Sequence, residues 1–194
     1  MTQINHGRVR CPWAGVSRSM QRYHDREWGV PTHRERVLFE FLVLESAQAG
    51  LSWAGILHRR DAYSRVYRRF DPVRVAAFGT PEVEAALADP GIVRNRAKIE
   101  ASVNNARCFL ELQARFGSFA TWLWGFVDGE PVRHAYRSAA EVPAETDTSR
   151  MLSRELRRHG FRFLGPVICQ SYLQAVGLFD DHLVTCFRHR AGAP

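Results

Sequence analysis

The chain has 194 residues, 45% of them hydrophobic and 11% aromatic, and a formal net charge of +7. Such a length and composition suit one domain or two intimately packed lobes and exclude a disordered chain. No apolar run approaches the roughly 18 residues that cross a bilayer, and Met1–Arg10 is polar with no apolar signal-peptide core, so a cytoplasmic location without a membrane partner is expected.

The elements read as helical nearly throughout. Residues 34–49 place Val37, Leu38, Phe41, Leu42 and Ala49 at helical spacing, and Gly50 is positioned to stop that helix. Ser52 is suited to cap the next helix, with Ile56 and Leu57 inward and Arg59 and Arg60 outward. Thr80-Pro81 reads as an N-cap with proline at the first helical position. After the Asp89-Pro90-Gly91 turn, Asn95 is placed to cap a long helix with Ile99, Val103, Ala106, Leu110 and Leu112 near one stripe. Gly117 closes it, and Ser118 starts a segment holding Phe119, Trp122, Leu123 and Phe126. Residues 128–147 read as the longest loop. Helices are predicted again over 148–159 and 166–177, with Gly160 and Gly177 as stops. Trp122 and Trp124 read as core. No segment alternates in the manner of a strand, so the predicted fold class is all-α.

The positive charge favours a polyanionic partner such as nucleic acid over an ordinary neutral surface, without deciding between them. Lys98 is the only lysine. The four cysteines, in a chain with no secretion signal, point to metal binding or burial and away from disulfides. Cys108 and Cys169 sit in apolar helical patterns and read as core residues. Cys11 and His24 lie near one end with 12 residues between them, and His182 and Cys186 near the other with three between them. Two thiolates and two imidazoles make a closed tetrahedral set for zinc, yet 157 residues separate the two halves. The spacing alone leaves open a metal site and, equally, two buried cysteines with two surface histidines. A closed set would be structural, would tie both termini to the body, and would leave no position for a reacting water.

Longer blocks carry a resemblance. Tyr23-His24-Asp25-Arg26-Glu27-Trp28-Gly29-Val30-Pro31, Leu44-Glu45-Ser46-Ala47-Gln48-Ala49-Gly50-Leu51-Ser52-Trp53, Gly91-Ile92-Val93-Arg94-Asn95-Arg96-Ala97-Lys98-Ile99, Gly160 to Gly165, and Asp181-His182 to Cys186 together resemble the bacterial DNA-3-methyladenine glycosylase I family. The likeness runs over roughly residues 10–187. It implies the helix-hairpin-helix superfamily fold, as one unit of two packed lobes: a helix-hairpin-helix lobe over about 35–127 and a zinc-bound terminal lobe over about 10–34 and 128–190. It implies one structural zinc ion held by Cys11, His24, His182 and Cys186. The implied partner is alkylated double-stranded DNA, met by a monomer. Two departures stand out: Met20 where the family often has tyrosine, and Ala97 where glycine is common.

The implied activity is excision of 3-methyladenine from DNA without strand cleavage, leaving an abasic site. N3-methylation makes the base cationic and its glycosidic bond labile, so extrusion and charge recognition matter more than acid assistance. The resemblance makes Glu45 the catalytic carboxylate that opposes this charge. Tyr23, Trp53, Trp28 and Trp13 would wall the base pocket, since electron-rich faces attract a cation. Ordinary core packing is the competing reading for these rings, and a capping or salt-bridging role for Glu45. Gln48, Gly50 and Leu51 would meet the duplex, Leu51 as a wedge. Arg94, Arg96 and Lys98 of the hairpin would meet phosphates. The segment Phe119-Ala120-Thr121-Trp122 lacks the aspartate that many superfamily relatives use. Two rival classes are a non-enzymatic damage-binding module and a zinc hydrolase.

Overall fold

A computed structural model describes residues 8–189; residues 1–7 of the polar N-terminal stretch, and residues 190–194, lie outside the described residues. Among the described residues the first elements are a 3-10 turn, Pro12–Val16, and helix α1, Arg18–Arg26, capped by the Ser17 hydroxyl accepting from the Met20 N–H at 3.2 Å. Helix α2, Glu35–Gln48, is buried at every position from Leu38 to Ala47 except Glu40. A helix with so little polar surface must sit inside, and the others wrap it.

Gly50, at φ +79°, reverses the chain after α2. The Ser52 hydroxyl then caps α3, Trp53–His58, as expected, and α4 (Arg60–Val66) and α5 (Pro72–Ala76) follow. Helix α6, Thr80–Ala88, is capped one residue earlier than its sequence suggests. Gly79 is the N-cap, because the Glu82 carboxylate reaches back to accept from the Gly79 N–H at 2.9 Å.

Helix α7, Arg96–Phe116, is capped by Asn95 and closed by Gly117 at φ +82°. Its buried stripe is Ile99, Val103, Ala106, Phe109 and Leu112; Leu110, expected on it, is one residue off the stripe and half-buried. Ser118 caps α8, Phe119–Trp124, and the Glu35 carboxylate accepts from the N–H groups of Phe119 and Ala120, tying the start of α2 to the start of α8. Helices α9, Asp147–Arg158, and α10, Pro166–Ala175, complete the set.

The expectation of no sheet needs one correction. β1 (Val132–Arg133) and β2 (Phe179–Asp180) pair in parallel, Val132 with Phe179 and Arg133 with Asp180. Two residues are too few to show an alternating pattern, so nothing in the sequence marked them. Helix α7 packs on α2 and α5, and α10 packs on α9 and α2. Helix α2, whose last turn carries Glu45, thus packs against both α7 and α10. Among the described residues no helix is long and apolar enough to cross a membrane.

Candidate active site and metal centre

Glu45 is 2% exposed on the last turn of α2, at the wall of a cavity of about 210 Å³. Trp13, Tyr23, Trp28 and Trp53 line the same cavity, so the structure brings the proposed carboxylate and all four expected aromatic residues together. The rings form a continuous wall. Trp13 meets Trp28 edge-on with centroids 5.0 Å apart, and Tyr23 lies 5.3 Å from Trp53 and 6.2 Å from Trp13. Phe41, from inside α2, backs both Tyr23 and Trp53. Met20 also lines the cavity. A flexible thioether at that position fills space without offering a hydroxyl.

The electrostatics of Glu45 follow from burial alone. Desolvation pushes its carboxyl up to about 8, and Oε2 has no hydrogen-bond partner among the described residues. The salt-bridging reading of this residue has no support, because no ion pair of Glu45 occurs among the described residues, and the half-buried Arg60 is engaged elsewhere. Arg60 bonds Glu40 and Glu27, each at 2.7 Å. The Trp53 indole nitrogen is buried without a partner as well. Burial, followed by the charge of Glu45, holds the Tyr23 phenol well above its usual value, so it stays neutral.

Two cavity residues escaped sequence reasoning: Ser171 and Gln174, both on α10. Their spacing of three places them on one face of α10, the one signal that marked them. Gln174 Nε2 donates to Asp181 Oδ2 at 2.6 Å, and Asp181 Oδ1 bonds His134 Nδ1 at 2.6 Å. A carboxylate accepts and cannot donate, so this pairing fixes which end of the Gln174 amide faces Asp181.

The four expected ligands also converge. Cys11, His24, His182 and Cys186 are buried with ligand atoms all within 4.8 Å of one another. Cys186 Sγ lies 3.4 Å from His24 Nε2 and 3.6 Å from His182 Nδ1, and Cys11 Sγ lies 3.8 Å from His182 Nδ1. A tetrahedral zinc with ordinary bond lengths separates sulfur from nitrogen by about 3.6 Å. The outer contacts fit as well. His24 Nδ1 donates to Asp25 at 2.8 Å and His182 Nε2 donates to the Trp28 carbonyl at 3.2 Å, which turns the other ring nitrogens toward the sulfurs. The N–H groups of Leu183 and Arg188 donate to Cys11 and Cys186 sulfur. Burial pushes the Cys11 thiol up to about 12 and, with His24 beside it, drops His182 to about 3. By donor type and spacing, two sulfurs and two imidazole nitrogens fit a divalent soft-ligand ion. Cys108 and Cys169 are buried away from it, as expected.

The metal nest and the cavity share a wall. Trp28 stands edge-on to His182 at 4.6 Å and Trp13 edge-on to His24 at 5.2 Å. The same indoles face the cavity, so the nest braces its lining.

The residues expected at DNA lie outside the cavity, apart from Gln48 at its rim. Leu51 is 48% exposed and, with Ser52, shares a groove of about 280 Å³ with Ile92 and Val93 of the α6–α7 turn. Arg94 is exposed, and Arg96 pairs with Glu84 at 2.7 Å and Glu100 at 3.6 Å. Lys98, expected to meet phosphate, has its ammonium engaged within the protein. Its ammonium donates to the Ala47 and Ala49 carbonyls, at 2.9 and 2.6 Å.

Comparison with known proteins agrees with this geometry. The methyladenine glycosylase family model matches residues 13–189. DNA-3-methyladenine glycosylase 1 of Escherichia coli (strain K12) is 40% identical over 185 residues, covering 95% of this chain and 99% of the relative. A crystal structure of a 3-methyladenine DNA glycosylase I superposes with a TM-score of 0.91 at 42% identity, over 94% of this chain and 100% of the other. The Staphylococcus aureus 3-methyladenine DNA glycosylase I, solved to explain its recognition of 3-methyladenine, gives 0.91 at 37% identity, over 95% and 98%. The family match and the identity to these relatives over nearly the whole chain make it an enzyme of the class that hydrolyses N-glycosyl bonds. Within that class the chain belongs to the methyladenine glycosylase family.

Proposed function

We propose that this protein excises 3-methyladenine from alkylated double-stranded DNA as a monofunctional glycosylase, releasing the free base and leaving an abasic site. One observation carries the reading: a buried, unpaired carboxyl, Glu45, set in a wall of indoles and a phenol. Such a site suits a flat cation that has left the base stack.

The reaction needs little from the protein beyond binding. Water adds to the sugar C1′ while the C1′–N9 bond breaks. The bonding pair passes into the methylated purine and neutralises it, and the water proton goes to solvent. Glu45 favours the cationic base by charge and by accepting its N–H groups. Trp53, Trp28, Trp13 and Tyr23 hold the ring and exclude water from its faces. Leu51, Gly50 and Gln48 meet the opened duplex, and Arg94 and Arg96 at the hairpin meet phosphate.

Cys11, His24, His182 and Cys186 would hold one structural zinc ion, which supplies cross-linking of the two chain ends and no reaction step. Chromatography of bases released from methylated DNA tests the function. Free 3-methyladenine is expected; no release, or equal release of unmodified adenine, overturns it.

A further inference from the structure

We infer that Lys98 is a positioning residue, fastening the start of α7 to the end of α2 so that the Gln48–Ser52 turn keeps the shape it presents to DNA. The inference rests on the function proposed above.

Lys98 stands at a junction. Its main-chain N–H donates to the Asn95 cap of α7 at 3.2 Å, and its ammonium reaches across to the Ala47 and Ala49 carbonyls of α2. Those carbonyls belong to a helix C-terminus, where oxygens lack helical partners and the backbone dipole favours a cation. No carboxylate pairs with Lys98 among the described residues, so two of its three N–H bonds are committed to main chain.

The turn it grips has little else to hold it. Gly50 is exposed at φ +79°, and a side chain added there would meet nothing within 4 Å. Leu51 is 48% exposed. A Gln48–Leu51 main-chain bond of 2.6 Å and the Ser52 cap remain. Yet this turn carries Gln48 at the cavity rim and Leu51 beside the hairpin groove. A fastener from the hairpin helix therefore sets the wedge relative to the element that docks on phosphate.

Lys98→Met keeps the aliphatic stem and removes the donors, Lys98→Arg keeps a cation, and Lys98→Gln carries the same tests if the methionine variant does not fold. Hydrogen exchange over residues 48–52 reads the turn without reference to catalysis. Expected for Lys98→Met is about tenfold faster exchange there, unchanged exchange elsewhere, and near wild-type exchange in Lys98→Arg. Excision from duplex DNA is expected to fall about tenfold, with excision from the same sequence single-stranded within about twofold, since a wedge matters only where a stack must be opened. A phosphate contact would instead lower the salt slope of duplex binding by about one. Unchanged exchange, a lowered slope, or equal losses on both DNAs overturns the inference. Wild-type protein that released no base would sink the proposed function, and the exchange experiment would still decide the role of Lys98.

Discussion

Glu45 and Trp53 face one cavity from successive helices, and each leaves a buried polar atom, Oε2 and Nε1, without a protein partner among the described residues. Folding chains rarely tolerate such atoms, since burying a polar group without a hydrogen bond costs about 1–3 kcal/mol. Two such atoms lining one cavity support the proposed function, in which a bound base would complete their hydrogen bonds.

The cost is measurable at Glu45. Its carboxyl rises from an ordinary 4.5 to about 8 on folding. The folded state therefore holds its proton more tightly than the unfolded chain, and stability falls as pH rises between those two values. Glu45→Gln removes this penalty. The variant is expected to be more stable than wild type at pH 7.5 by on the order of 2–4 kcal/mol, with little difference below pH 4.5. Thermal melts across pH check this, and a variant less stable at pH 7.5 would contradict it.

Catalysis should move the opposite way. A cationic base is best matched by the ionised carboxylate, and free Glu45 ionises only near pH 8. kcat/KM reports ionisations of the free enzyme. It is expected to climb with pH and level off above about 8, with spontaneous depurination subtracted. The rising limb should vanish in Glu45→Gln. A wild-type profile already flat from pH 6 would show that the carboxyl is ionised in the empty cavity.

Metal removal should reach the cavity through its wall. Trp13 and Trp28 pack on His24 and His182. One zinc per chain is expected by elemental analysis. Strong chelation, or Cys186→Ala, should lower the melting temperature by about 10 °C or more and slow excision as the indole wall loosens. Zinc restored to the chelated protein should recover both. Full activity with an unchanged melt after complete metal loss would remove the bracing role.

The proposed lack of strand cleavage can be tested through the placement of Lys98. A lyase needs an amine at the sugar carbon. Lys98 is the only lysine, and its ammonium is bound to the Ala47 and Ala49 carbonyls. Borohydride treatment during turnover on damaged DNA is expected to trap no covalent complex. A trapped adduct lost in Lys98→Met would reverse the assignment.

Much of this was legible in the sequence, for identifiable reasons. Helix stops and caps read well where one residue type has one reason to be there, as at Gly50, Ser52, Asn95 and Gly117. The cap of α6 shifted because Glu82, three residues on, competes for the Gly79 N–H. Gly177 read as a helix stop, and its positive φ of 77° agrees, yet a second constraint was invisible: an added Cβ would strike the Val30–Pro31 backbone. The residues around Glu45 were visible only through the resemblance carried by the blocks at 23–31 and 44–53, with Trp13 outside both. Ser171 and Gln174 were not, since they reach the cavity only through the packing of α10 on α2. The same applies to Lys98, whose partners are main-chain atoms 49 and 51 residues away and carry no residue-type signature.

The sharpest test is the single-turnover rate of 3-methyladenine release from a duplex by wild type, Glu45→Gln and Trp53→Ala at pH 8. Losing a charged hydrogen bond or one stacked ring is worth about 1–3 kcal/mol, so each variant should slow release by about 10- to 100-fold while still binding duplex. Release at the wild-type rate in both variants would mean that the buried carboxyl and its indole wall do not select the base.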